Sequence, residues 1–465
     1  MTSDRHGLTT RRFFLSQAAA LPLLAQEDPT EAFRRTRQQA ARGKLQPWFP
    51  EAGLGVFFHW GPCSVGEIEI GWGMFKDVGA PNKYWPVEKY MALFERFNPQ
   101  NYDPDRWMAA AAKAGVKYTV FVTRHHDGYA LWPSDYGDCS TKQHMKGRDL
   151  VRPFIEACRK NGIKAGMYYS PNDWLFFPKG WPYRGFPLRD PKFLYRRPEK
   201  SQGLPRYTDM PMERIQEHFE TLYAYCKGQV TELMTRYGKI DLLFWDGYDW
   251  PIGTDHHGQE MEDYVRKLQP SIVMNDRNMI WEKGLTGGDY STAFENRDPK
   301  QRPEGAWEQC EALCGGWSYR GPKSVCKPAS HVIERLVKNR AWGGNSLPDF
   351  GPRADGTLPP AYYEICDQLA GWMKHSGESV FATAAGPYPE QCDVPATVKA
   401  DALYLHFLSA DKKSATLSNA KAPKSAKVLR TGQRVEWKQD GNQVIFTLPE
   451  MQRTEFDEVV KVAWE

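Results

Sequence analysis

The feature that most constrains this chain is an alternation of apolar strands with amphipathic helices, repeated in one direction. Gly55 to His59 reads as a buried strand. Asp103-Pro104 then opens a helix, with Asp as cap and Pro in the first turn. Trp107, Ala110, Ala111 and Ala114 share one face of that helix, and Gly115 ends it. Tyr118 to Thr123 is the next strand. Leu150, Phe154, Ala157 and Cys158 form a second helical stripe, stopped by Asn161-Gly162, and Ile163 to Tyr169 follows as a strand. A long stripe from Phe219 to Leu233 stops at Gly238, and strands follow at Asp241 to Trp245 and at Ile272 to Asn275. Strand–helix–strand repetition implies a parallel sheet covered by helices. The length suits a (β/α)8-like TIM-type barrel better than an open sheet, although only five strands can be counted this way. Beyond residue 385 the texture changes to short alternating strands, such as Ala402 to Leu408 and Gln443 to Leu448, with turns such as Asp440-Gly441-Asn442. That pattern predicts a small antiparallel β-sandwich. The expected organisation is a barrel over 26–385 and a sandwich over 386–465.

A barrel places its active site at the C-terminal ends of its strands. Here those ends read His59-Trp60-Gly61, Thr123-Arg124-His125-His126-Asp127-Gly128, Tyr168-Tyr169-Ser170, Trp245-Asp246-Gly247 and Asn275-Asp276-Arg277. One polar ending is noise, but five at equivalent positions form a constellation. Asp246 is the strongest candidate, because an apolar strand delivers an ionisable group to a cleft, where a nucleophile is made. Its bland alternative is a turn Asp before Gly. The histidines invite a metal reading. Adjacent side chains on a strand point to opposite faces, so His125 and His126 are not expected to ligate together, and no metal is expected. As hydrogen-bond partners for hydroxyl groups they need no such geometry.

The N-terminus reads as an address. Arg11-Arg12 precedes a short apolar run, Phe13 to Leu24, with small residues at Ala18-Ala19-Ala20 and Ala25. Residues 1–25 are predicted to be a twin-arginine-type export signal, making the protein periplasmic or secreted, with no membrane contact once it is removed. An oxidising destination permits disulfides. The nine cysteines show no dense framework, however, so buried thiols are the expectation. A formal charge of +4 gives no nucleic-acid footprint. The 17 Trp residues are the compositional oddity. Trp fills cores, but it also offers a flat face and one donor to sugars.

Several motifs together resemble the α-L-fucosidases of glycoside hydrolase family 29. Arg96-Phe97-Asn98-Pro99, Trp107 and Ala114 to Tyr118 are similar to that family's first helical block. Thr123 to Trp132 is close to its most distinctive motif. Gly147 to Val151, Gly166 to Ser170, Leu233 to Gly247, and Gly343-Gly344-Asn345 with Gly351-Pro352 and Asp355-Gly356-Thr357 follow in family order. The resemblance implies a catalytic barrel followed by a sandwich. It implies exo-hydrolysis of α-L-fucosides in fucosylated glycans with retention of configuration, and no metal or other cofactor. It puts Asp246 at the nucleophile position and His59, His125, His126, Tyr168 and Arg277 against the sugar. Trp60, Glu69, Trp72, Trp245 and Trp307 are further candidates for sugar contact.

The acid/base is less direct. Asp289-Tyr290-Ser291-Thr292-Ala293-Phe294-Glu295 carries one residue more than the family's pattern before its Glu. In an extended loop that offset could turn the Glu295 carboxylate away, so Glu304 and Glu308 stand as alternatives. Glu67, Glu69 and Trp72 also depart from the usual close Glu-Trp spacing. Asn345 to Gly351 departs from the family's late loop, and the insertion from Trp174 to Tyr207 reads as a binding loop. Three rival readings follow: an exo-glycosidase for a sugar of fucose-like stereochemistry such as a galactoside, a non-catalytic carbohydrate-binding protein with a decayed site, and a metal-dependent hydrolase. Homo-oligomerisation, linkage and aglycone are not fixed by the sequence.

Overall fold

The computed structural model describes residues 45–72, 85–173, 175, 212–246, 256–278 and 288–464. The predicted export signal and nearly all of the Trp174 to Tyr207 insertion lie outside the described residues. Eight strands form one sheet: β1 (Gly55–Phe58), β2 (Tyr118–Arg124), β3 (Gly166–Tyr169), β4 (Leu242–Trp245), β5 (Val273–Met274), β6 (Ser291–Glu295), β7 (Trp307–Ala312) and β8 (Asn345–Asp349). Their order is β5-β4-β3-β2-β1-β8-β7-β6, with every pair parallel. A parallel bridge from Asn275 to Tyr290 joins the two ends of that order and curls the sheet on itself. The five sequence-predicted strands are β1 to β5. Their unbroken burial fits a parallel sheet whose two faces are both covered.

Helices α1 (Pro104–Lys113), α2 (Val151–Lys160), α3 (Met212–Arg236), α4 (His256–Leu268), α5 (Ala329–Ala341) and α6 (Pro360–Ser376) accompany the strands. As the sequence predicts, Asp103 caps α1 by accepting from the Arg106 N–H at 3.1 Å, and Gly115 follows the helix in the left-handed region. Apolar residues divide between two faces of the sheet. Phe57, Val120, Val122, Tyr168, Phe244, Cys310 and Leu347 pack together on the axis, while Phe58, Phe121, Tyr169 and Trp245 pack outward among the helices.

The C-terminal region forms two antiparallel sheets. Strands β9 (Ala384–Ala385), β10 (Ala396–Val398), β11 (Leu403–Phe407), β13 (Ser425–Val428) and β16 (Glu458–Ala463) make the larger one, ordered β13-β16-β11-β10-β9. Strands β12 (Ser414–Ser418), β14 (Glu436–Asp440) and β15 (Gln443–Thr447) make the smaller one. Gly441-Asn442 turns the β14–β15 hairpin, with Asp440 paired to Gln443. One apolar cluster, including Leu405, Phe407, Leu417, Phe446 and Val460, draws on both sheets, as a sandwich requires.

Candidate active site

The site is built at the C-terminal ends of the barrel strands. On β2, Val122 pairs with Tyr168 and Arg124 pairs with Tyr169, so Thr123 is an extra residue in a bulge. Thr123 Oγ1 donates to the Tyr168 carbonyl at 2.7 Å. Arg124 points outward into a buried ion pair with Asp173 at 2.5 Å. His125 and His126 lie just past the strand, where alternation no longer applies. Their rings sit 4.2 Å apart, and one donor atom from each lies with a carboxylate oxygen of Asp246 in a set within 4.8 Å. The expectation that adjacent histidines must face apart is therefore corrected: the bulge and the turn after it bring both to one place.

Asp246 follows β4. Tyr168 donates its hydroxyl to Asp246 Oδ2 at 2.6 Å, and Arg277 donates to Oδ1 at 3.1 Å. His126 Nε2 lies 3.6 Å from the same carboxylate. The Tyr168 ring stacks on His125 at 5.3 Å, nearly parallel. Burial lowers the His125 pKa to about 4 against the opposing pull of Asp246, so this imidazole is neutral near pH 7. These donors are of types that bind metals. The Arg277 cation already on this carboxylate competes with any metal there, so we derive no metal chemistry from the cluster.

Asn275 ties the end of β4 to its neighbours. It accepts from the Trp245 N–H at 2.7 Å and donates to the Trp245 carbonyl at 2.9 Å. Arg277, two residues on, donates to the Thr292 carbonyl at 2.7 Å and contacts Glu295. Glu295 is not in a loop but is the last residue of β6. Ser291 pairs with Trp307 while Phe294 pairs with Gln309, so three steps on β6 match two on β7. That bulge absorbs the extra residue noted in the sequence. Glu295 then pairs with Cys310, whose side chain belongs to the axial cluster. In-register parallel neighbours share a face, so the Glu295 carboxylate points to the axis. Asp246 and Glu295 thus meet at one guanidinium nitrogen, Arg277 Nη1.

The opposite wall starts from β1. His59 Nδ1 lies 2.8 Å from Asp349 Oδ1, at the end of β8. Burial lowers the His59 pKa and raises that of Asp349. The Trp317 ring lies 5.0 Å from His59. Glu69 is occupied by the same loop: its Oε1 accepts from the Trp317 N–H at 2.7 Å and its Oε2 from Arg320 at 2.9 Å. Gly321 of that loop also lies close to the Glu67 carboxylate. Trp72 stands edge-on to His126 at 6.1 Å. Neither Trp317 nor Asp349 was singled out from the sequence. The Gly315-Gly316-Trp317 run and the polar end of β8 were the available signals.

Other candidates lie elsewhere. Trp60 is buried outside the sheet, edge-on to Phe97 and Trp107, and donates to the Arg353 carbonyl at 2.9 Å. Trp245 also packs outward, with its indole 3.4 Å from Met274 Sδ. Trp307 opens β7 at the far end of the barrel and donates to the Trp342 carbonyl at 3.2 Å. These three tryptophans are packing residues, in place of the sugar contacts expected of them. Glu304 is exposed ahead of β7. Glu308 is buried at the barrel floor, where it accepts a hydrogen bond from Tyr118, the first residue of β2. Desolvation raises its pKa to about 8. Cys314 and Cys326 form a disulfide, correcting the expectation of thiols alone; the other seven cysteines are free.

A family model described as Alpha-L-fucosidase matches residues 21–378, more than half of the chain. The chain is 27% identical to tissue alpha-L-fucosidase of Rattus norvegicus over 90% of its own length and 89% of that protein's. Alpha-L-fucosidase isoenzyme 1 from Paenibacillus thiaminolyticus is similar in structure, with a TM-score of 0.74, 26% identity, and coverage of 93% of this chain and 100% of that one. A Bacteroides thetaiotaomicron alpha-L-fucosidase, trapped as a covalent intermediate, shares the fold at a TM-score of 0.73 and 22% identity, covering 94% and 96% of the two chains.

Proposed function

The chain belongs to the α-L-fucosidase family, and from that premise we propose that it releases terminal α-L-fucose from fucosylated glycans with retention of configuration, using Asp246 as nucleophile and Glu295 as acid/base. The observation that carries this reading is the convergence of both carboxylates on Arg277 Nη1. Two groups touching one nitrogen are no further apart than two contact lengths. That ceiling suits the ~5–5.5 Å of retaining enzymes and is short of the ~6.5–9.5 Å that an inverting water needs. Asp246 attacks the anomeric carbon while Glu295 protonates the departing glycosidic oxygen. Glu295 then takes a proton from the water that opens the glycosyl-enzyme. An acid about to give up a proton does not keep an ion pair with a guanidinium, so the leaving-group oxygen displaces the Glu295–Arg277 contact as substrate enters. Tyr168 and Arg277 hold the Asp246 carboxylate in place, and neutral His125 and His59 offer hydrogen bonds to sugar hydroxyls. Trp72 and Trp317 supply apolar faces for the ring edge and methyl group. The β6 bulge takes up the offset that, with the altered late loop, motivates the non-catalytic reading, and so supports a catalytic Glu295.

Proton NMR of the first product tests the proposal: α-fucose should appear before mutarotation, and β-fucose appearing first would refute it. Asp246→Ala should abolish turnover of an aryl α-L-fucoside. A panel of aryl galactosides separates the rival sugar. We also propose export through the residue 1–25 signal, which the Cys314–Cys326 disulfide supports, since such bonds persist in oxidising compartments. Finding the full-length chain retained in the cytoplasm, or exported equally well after Arg11 and Arg12 are replaced by Lys, would refute that.

A further inference from the structure

The loop between β7 and α5 is closed by the Cys314–Cys326 disulfide, a separation of 12 residues, and it contains neither helix nor strand. Its base is joined by the Lys327 N–H donating to the Leu313 carbonyl at 3.0 Å, and beyond that bond its shape rests on one internal turn, Ser324 N–H to Gly321 carbonyl at 3.1 Å, on the side chains it meets and on the disulfide. What it carries faces the candidate site. Its Trp317 lies against His59. Its Trp317 N–H and Arg320 engage both oxygens of Glu69. Ser318 Oγ donates to the Ile68 carbonyl at 2.6 Å, one residue before Glu69. From the other side, Gly351 presses so close that an added Cβ would meet the Tyr319 nitrogen at 2.2 Å. One covalently closed loop therefore sets Trp317 and the segment after β1 at the same time.

We propose that the Cys314–Cys326 disulfide is a positioning element of the sugar site, so that substrate affinity, and not stability alone, requires the oxidised chain. This rests on the fucosidase reading. Reduction is a two-electron exchange with a dithiol. A reductant thiolate attacks one sulfur and the Sγ–Sγ bond breaks. The reductant closes to its own disulfide, and the two cysteines take up the two protons it gives up. The bond is reachable: Cys326 is half-buried, and Val325 beside it is 84% exposed. The other seven cysteines are already thiols, so the reductant has one protein target.

The test compares oxidised protein, protein reduced by a dithiol, and the Cys314→Ser/Cys326→Ser double variant on an aryl α-L-fucoside. Loosening contacts that hold the sugar equally in the ground and transition states should raise KM about tenfold in the reduced and double-variant forms, with kcat changing far less. The double variant should not respond further to reductant. A wild-type KM in protein shown by thiol titration to have gained two thiols would overturn the proposal. So would a lowered Tm with KM unchanged, which is the behaviour of a mere brace. If the double variant does not fold, stepwise reduction of the folded wild-type protein decides. Fucose affinity by calorimetry, oxidised against reduced, should fall by the same factor without any turnover being needed. Failure of the hydrolase reading, seen as no turnover by oxidised protein, is thereby distinguished from failure of the positioning role.

Discussion

Glutamine replacements at three positions decide which carboxyl group moves the proton. Glu295 ends β6, faces the axis beside Cys310 and touches the guanidinium that binds Asp246. Glu304 is exposed ahead of β7, and Glu308 sits on the barrel floor under Tyr118. Only Glu295 is at the strand ends with Asp246. General acid catalysis is worth about 10²–10⁴-fold, so Glu295→Gln should lower kcat/KM by that factor on a fucosylated glycan or a phenyl fucoside. A dinitrophenyl fucoside leaves without protonation, so its first step should be nearly untouched. The second step still lacks its base, so the glycosyl-enzyme accumulates. Rapid mixing should then show a burst of about one phenolate per active site, followed by slow turnover that azide accelerates. Glu304→Gln should change kcat/KM by no more than about twofold, as surface substitutions do. Equal losses on both leaving groups would mean that Glu295 acts in binding and not in proton transfer. The leaving-group pattern appearing in Glu308→Gln or Glu304→Gln would refute the placement outright.

Three further outcomes follow from the geometry. Tyr168→Phe removes a part-buried hydrogen bond to the Asp246 carboxylate, of a kind worth about 1.5–3 kcal/mol, and should lower kcat/KM roughly tenfold or more along with a modest fall in melting temperature; an unchanged kcat/KM would show that Tyr168 does not hold Asp246 for the reaction. Glu308 has a folded pKa of about 8, above its ordinary value of 4.5, so its stabilising contribution is complete below pH 4.5 and is lost as pH rises through 8. The melting temperature of Glu308→Gln relative to wild type should therefore climb from pH 5 to pH 9, and a flat difference would show that Glu308 does not titrate in the fold. Deleting Ala293, one of the two residues between the paired Ser291 and Phe294, removes the extra residue of the β6 bulge and should keep Glu295 opposite Cys310. Activity on an aryl fucoside should survive within about tenfold, far short of the loss from removing an acid/base.

The parts of the barrel legible in the sequence were those whose strands are apolar on both faces. Gly55 to Phe58 and Leu242 to Trp245 announce themselves. Strands β6, β7 and β8 do not, because their polar residues read as loop. Asn345 is buried in β8 because its side chain accepts from the Gly53 N–H at 3.0 Å and donates to the Phe49 carbonyl at 2.7 Å. Gln309 is buried in β7 because Asn339 of α5 donates to it at 2.9 Å. Such partners lie up to 296 residues away in sequence, and no local pattern displays them. Asp349 was hidden for the same reason, although it is the group that holds His59.

The misplaced tryptophans show the opposite case, in which the information was present. A strand that aims His59 at the axis must aim Trp60 outward, and one that aims Phe244 inward must turn Trp245 away. Alternation alone sorts these residues once one member of each strand is assigned. The same rule then fails at His125-His126 and at Glu295, because each follows a bulge. A bulge changes which way the next side chains point, with a local bend in the strand that carries them. Both bulges therefore stand where side chains are turned toward Arg277 and Asp246, and a period-2 reading breaks down at the positions proposed to carry the chemistry. The extra residue before Glu295 looks like decay in the sequence, but in the fold it is the residue the bulge takes up.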